Sequence, residues 1–77
     1  MEHKKTLNRL SLGEKAKVCT LSATGSLRQR MLDLGIVPGA SVMALHRSPS
    51  GDPTAYFIMG AVIALRHDDA REILVNN

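Results

Sequence analysis

The sequence predicts a small, mainly β protein: five short strands close into a barrel, one short α-helix lies in the first long loop, and a helical turn precedes the last strand. Three observations carry that prediction. Runs of alternating apolar and polar residues recur along the 77 residues, separated by glycine- and proline-rich breaks. Residues 26–39 alone break the alternation with helical spacing and their own start and stop signals. The hydrophobic fraction is 44%, yet Tyr56 and Phe57 are the sole aromatic residues, so the core is aliphatic.

Taken in order, residues 1–6 are polar and charged and read as a flexible N-terminal tail, leaving 7–77 as a single domain. Leu7, Leu10 and Leu12 read as a lid over one end of the core. Residues 15–21 alternate Ala16, Val18 and Thr20 with Lys15, Lys17 and Cys19, the pattern of a first strand. Residues 22–25 are small and polar, hence loop.

The helix follows. Ser26 is placed to cap it, and Gln29 three residues on completes a capping box. Leu27, Met31 and Leu34 fall at i, i+4 and i+7, one buried stripe. Arg28 and Leu32 share another face, and Arg30 is spaced to pair with Asp33. Gly35 suits the left-handed residue just past a helix, which lets Ile36 pack back on Met31. Pro38-Gly39 supplies the fixed φ and positive φ of a type II turn.

Residues 41–47 are the second strand, and Ser48-Pro-Ser-Gly-Asp-Pro53 is a dense breaker cluster. Residues 54–59 and 62–66 are two β-rich runs around Gly60-Ala61, spaced for a type II′ hairpin. Asp68 or Asp69 starts one helical turn through Glu72, and residues 73–75 are the last strand. This order is that of an SH3-like barrel. An OB-like barrel also has five strands, but its helix falls between the third and fourth, where this chain has a two-residue hairpin.

The longest apolar run, residues 55–65, is too short to span a bilayer, which needs about 20 residues. No signal peptide is visible at the polar N-terminus, and a lone Cys19 forms no internal disulfide. These features point to a cytoplasmic protein without direct membrane insertion. The net charge of +3 is uneven: residues 1–30 carry seven Lys/Arg and two acids, residues 31–77 three Lys/Arg and five acids. Lys15, Lys17, Arg28 and Arg30 are the material for a basic face, but nucleic-acid binders pair such a face with stacking aromatics, and here only Tyr56 offers a ring, so no nucleic acid is expected.

No catalytic constellation is present. Cys19 has no histidine near it in sequence, and there is no nucleophile elbow or phosphate-cradling glycine loop, so an enzyme is not expected. Cofactors are likewise not expected. For metal, the spacing shows no tight motif; His3 lies in the tail, while hairpin register brings His46 near residue 55 and pairs residue 54 with His67. His46 and His67, near Asp52 and Asp68, are thus the candidate ligands if any metal binds. The barrel geometry points instead to a partner groove between the helix-bearing loop and the 48–53 loop. Leu32, rotated roughly 100° from the buried stripe, would rim it with Val37, Pro49 and Tyr56, and Arg28 and Arg47 would be its charged edges. The exposed edges of so small a barrel also admit weak self-association.

The residues resemble the FeoA family, small proteins of bacterial ferrous iron uptake, and the SH3-like domain at the end of some iron-dependent repressors. The likeness runs from Leu7 to Val75 and rests on Leu10-Ser-Leu-Gly13, Arg30-Met-Leu-Asp-Leu-Gly-Ile-Val-Pro-Gly39, Pro49-Ser-Gly-Asp-Pro53 and Ala64-Leu-Arg66 followed by Ala70 and Ile73. It implies a non-enzymatic accessory that docks on a membrane ferrous iron permease with a cytoplasmic GTP-binding domain. Two positions depart from the family pattern. Met31 stands where leucine is more usual, and Ala61 stands where a larger or polar residue is common. A nucleic-acid-binding barrel and a metal-responsive sensor are the alternative functions for this architecture.

Overall fold

The computed structural model describes residues 4–77. The reading of His3 and its neighbours as tail lies outside the described residues. Six antiparallel strands form one sheet in the order β1 (Lys4–Thr6), β6 (Ile73–Asn76), β2 (Lys15–Leu21), β3 (Ser41–Arg47), β4 (Thr54–Ile58) and β5 (Ala61–Leu65). Helix α1 (Gly25–Asp33) joins β2 to β3, and the single turn α2 (His67–Ala70) joins β5 to β6. The mainly β, SH3-like architecture is as the sequence predicts, with one strand more; the predicted closure is not seen, because among the described residues the end strands β1 and β5 do not pair with each other. Lys4 to Thr6 are not tail: they pair with β6 in the register Lys4↔Asn76 and Thr6↔Leu74. A strand of three residues bearing two lysines has too little apolar character to be seen in a sequence.

Bounds of β2 and β3 match the sequence pattern: Ala16, Val18, Val42 and Ala44 are buried while Lys15, Lys17 and Ser41 face water, but past Cys19 the alternation of β2 breaks, so that Thr20, expected on the inner face, is exposed and Leu21 is buried. A register shift at Cys19 bulges β2 against β6, and another at Leu45 bulges β3 against β4. Ile58, Tyr56 and Leu65 close the core from the far strands, and Ile73 and Val75 from β6. The lid forms from Leu7 and Leu10, both buried, on the 3-10 turn Leu7–Arg9. Leu12 is not part of it. It stands 48% exposed at the tip of a turn closed by the Glu14 N–H on the Ser11 carbonyl at 2.9 Å.

Helix α1 begins one residue before the expected cap. Thr24 has the extended backbone of a cap (φ −128°) without a side-chain cap bond, and Ser26 lies inside the first turn. The capping box therefore does not form, and Gln29 instead donates forward to Asp33 Oδ1 at 2.9 Å. The stop is as predicted. Gly35 has φ +88°, the Ile36 N–H bonds the Met31 carbonyl at 3.0 Å, and the Gly35 N–H bonds the Leu32 carbonyl at 3.0 Å. Met31 and Ile36 are both buried in the core, as that motif requires. Pro38-Gly39 turns the chain with the Ala40 N–H on the Val37 carbonyl at 3.0 Å, and Gly39 then reaches the Val18 carbonyl at 2.8 Å. The returning loop is thereby stitched to β2.

The last hairpin differs by one residue from the sequence reading. Ile58 pairs with Ala61, so the turn is Met59-Gly60. Both have positive φ, +50° and +84°, the signature of a type I′ turn rather than type II′. Thr54 consequently pairs with Leu65, not His67. Tyr56 and Ile58 share the inner face with Ile63 and Ala61, and Met59 is a non-glycine residue in the left-handed region.

Candidate functional site

On the helix-bearing side, the groove residues expected from the sequence are largely engaged in structure. Arg28 donates to the Leu21 carbonyl at 3.3 Å, and Arg47 to the Leu10 carbonyl at 3.5 Å. Leu32 and Val37 are half-buried and pack against the core. The apolar stripe of α1 is Leu27, Met31 and Leu32, whereas Leu34 is 41% exposed because the helix ends at Asp33 and its cap turns away. Leu32 and Leu34 thus exchange the roles expected of them. Pro49 is exposed in its loop. Tyr56 cannot rim any groove. It is 1% exposed, points inward at the Leu7 carbonyl, and burial pushes its phenol above the ordinary tyrosine range.

The two loops are not free walls of a cleft, because α2 stands between them and is tied to each. Asp52 Oδ1 accepts the His67 N–H at 3.1 Å, and Arg30 pairs with Asp69 at 3.5 Å rather than with Asp33. The 48–53 loop is also tied to itself. The Ser48 N–H bonds the Pro53 carbonyl at 3.0 Å, and Ser50 Oγ donates to the Asp52 carbonyl at 2.9 Å.

His46 lies opposite Ala55, as expected, and is exposed. His67 opens α2 beside Asp52, with its Nε2 buried and without a partner. Among the described residues, no group of three or more His, Cys, Asp or Glu side chains converges. Cys19 is half-buried at the β2 bulge.

An open surface lies apart from that groove. Alternation places Lys15, Met43, Phe57 and Val62 in one cross-strand row on the outer face of the sheet, through the pairs Lys15↔Met43, Met43↔Phe57 and Phe57↔Val62. Phe57 is 42% exposed and Val62 63%. A shallow concavity of about 750 Å³ is lined by Lys15, Lys17, Met43, Phe57, Met59 and Asn77. Lys15 and Lys17 have no ion-pair partner among the described residues. Met59 extends the apolar surface to the hairpin tip and lies over the helix stop, where a Cβ on Gly35 would meet its side chain at 3.6 Å. The alternation of β4 held the signal for this face, but two adjacent aromatics did not say which pointed in.

The far edge of the sheet is polar. Lys5 Nζ bridges both carboxylate oxygens of Glu14 at 3.0 Å, and Asn77 also donates to that group. The Ser11 N–H, first, and then Lys5 hold the Glu14 carboxyl below its ordinary value.

A family model for the FeoA domain matches residues 5–77. The chain belongs to the FeoA family. A curated relative from Porphyromonas gingivalis is a fusion of Fe(2+) transport protein A with the Fe(2+) transporter FeoB. It is 33% identical over 69 residues, 90% of this chain and 8% of the fusion. This FeoA domain therefore spans under a tenth of the length of that relative. The solution structure of a FeoA-like protein from Clostridium acetobutylicum is 32% identical with a TM-score of 0.87, covering 97% of this chain and 87% of that one. FeoA from Stenotrophomonas maltophilia, an SH3 domain protein crystallised with zinc, is 28% identical with a TM-score of 0.82, covering 91% and 87%. The same fold recurs in a manganese-dependent transcriptional repressor at 20% identity and a TM-score of 0.85, over 97% of this chain and 42% of that one. Among the described residues no helix is long and apolar enough to cross a membrane.

Proposed function

We propose that the protein is a non-enzymatic, cytoplasmic accessory of ferrous iron uptake that docks on a membrane permease carrying a GTP-binding domain. The observation that supports this reading most is the fused relative, in which a domain 33% identical to this chain shares one polypeptide with an iron transporter. Covalent fusion raises the effective concentration of two modules for one another, a gain that matters when they act together. The outer face suits such a contact. Met43 and Phe57 form an apolar centre and Lys15 and Lys17 a basic rim, a composition that fits an acidic, apolar segment of the permease's cytoplasmic part. Docking regulates transport if the module binds one permease conformation more tightly than another.

The test is a titration of the isolated protein against the cytoplasmic part of a FeoB-type permease. Wild type is expected to bind, and Phe57→Asp to bind at least about tenfold more weakly while keeping the wild-type circular dichroism spectrum. Retained affinity in Phe57→Asp, with loss in an Arg28→Ala and Pro49→Ala double variant, would move the contact to the helix side, to Arg28, Leu32, Val37, Arg47 and Pro49. A wild-type protein that does not bind overturns the docking reading.

A further inference from the structure

We infer that β5 is a self-pairing edge, through which two copies of this chain join their sheets by antiparallel addition about a two-fold axis at Ile63. Strand β5 ends the sheet and pairs with β4 alone among the described residues. It reads Ala-Val-Ile-Ala-Leu, with no charge, no proline and an unbroken register against β4. Exposed edges of soluble sheets usually carry one of these guards. The opposite edge does: β1 is three residues long and presents Lys4 and Lys5.

The register specifies which backbone groups are free. The two-residue Met59-Gly60 turn makes Ile58↔Ala61 a hydrogen-bonded pair, and pairs of that kind alternate along the ladder. Tyr56↔Ile63 and Thr54↔Leu65 are therefore bonded pairs as well, while Val62 and Ala64 turn their N–H and C=O groups away from β4. Those two residues are spaced to bond each other across a two-fold. Val62 of one copy meets Ala64 of the second, and Ala64 meets Val62, giving two bonded pairs with Ile63 facing Ile63 between them. The seam is self-complementary in no other residues than its own.

Its electrostatics leave the seam free of like-charge repulsion. In this register Arg66 falls opposite Gly60 of the second copy, and the two Arg66 side chains lie at opposite ends of the seam. Lys15 is three strands in from the edge, so at ~4.8 Å per strand the two Lys15 residues are roughly 30 Å apart, several Debye lengths at physiological salt. On the outer face, Phe57 and Val62 continue into Ala64 and Ala55 of the second copy, one apolar row across the join. The inference is independent of the permease reading.

Sedimentation equilibrium from about 10 µM to 1 mM tests it, the range suited to a small interface. Wild type is expected to pass from monomer to dimer over that range, with the Val62 and Ala64 amides gaining concentration-dependent protection from hydrogen exchange. Val62→Lys places a charge on an exposed position. Ala64→Pro removes an N–H that β4 does not use. Both variants are expected to keep the wild-type circular dichroism spectrum and to stay monomeric throughout. A wild type that remains monomeric to the top of the range overturns the inference. So does a dimer that both variants form equally, or one that leaves the Val62 and Ala64 amides unprotected.

Discussion

The segment between β2 and β3 and the β4–β5 hairpin treat their apolar residues in opposite ways. The first turns Leu27, Met31, Leu32, Ile36 and Val37 onto the core and satisfies its backbone through the Gly35 stop and the Pro38-Gly39 turn. The second buries Tyr56 and Ile58 but leaves Phe57, Met59 and Val62 in water. An antiparallel sheet with one solvated face ordinarily alternates apolar with polar. Here β4 and β5 are apolar on both faces. The loop is therefore spent on the core while the strands keep apolar side chains at the surface, the reverse of the usual allocation.

That contrast can be broken by substitution, and the largest effect belongs to the closed side. Met31→Ala removes a buried anchor of the loop and is expected to cost about 2–5 kcal/mol, read as a lower urea midpoint with an unchanged slope. Gly35→Val follows. A Cβ there has room, at 3.6 Å from Met59, so the cost comes from φ +88° and should be about 1–3 kcal/mol. Near-wild-type melting would show that the helix stop is not what holds the loop.

Leu32→Glu and Phe57→Asp sharpen the contrast when compared with each other. Leu32 packs on the core, so its change should cost about 1–2 kcal/mol, while Phe57→Asp should cost less than about 1 kcal/mol in thermal melts. Equal costs would erase the distinction between the two regions.

The smallest expected effect lies at the guarded edge of the sheet. The Glu14 carboxyl is held below its ordinary value by the Ser11 N–H and then Lys5. A depressed acid stabilises the fold above its unfolded-state value, and that contribution fades as pH falls through the folded value. Stability should therefore decline on acidification below about pH 4.5, and Glu14→Gln should flatten that limb of the pH profile.

Where a residue's chemistry leaves one local solution, sequence and structure agree. Gly35 and Pro38-Gly39 have such constraints, and the first halves of β2 and β3 alternate up to their bulges, so their positions are readable. The hairpin is not. The sequence places Gly60 as the first central residue of a type II′ turn, whereas Met59 takes that place with positive φ and Gly60 the second, as in a type I′ turn. Sliding a hairpin turn by one residue shifts every cross-strand partner by two, and it moves the expected partner of Thr54 from His67 to Leu65. Tyr56 and Phe57 were equivalent in sequence until the register chose between them. Strand β1 depends wholly on β6 for its bonds, and Arg30 found Asp69 across the fold instead of Asp33 on its own helix, so neither left a local trace.

The most direct test of the outer face as the contact surface is to map backbone amide shifts while the cytoplasmic part of a FeoB-type permease is added. The account predicts the largest changes at Lys15, Lys17, Met43 and Phe57, with residues 28–37 nearly still. Changes centred on Leu32, Val37 and Arg47, with the outer row unmoved, would contradict it.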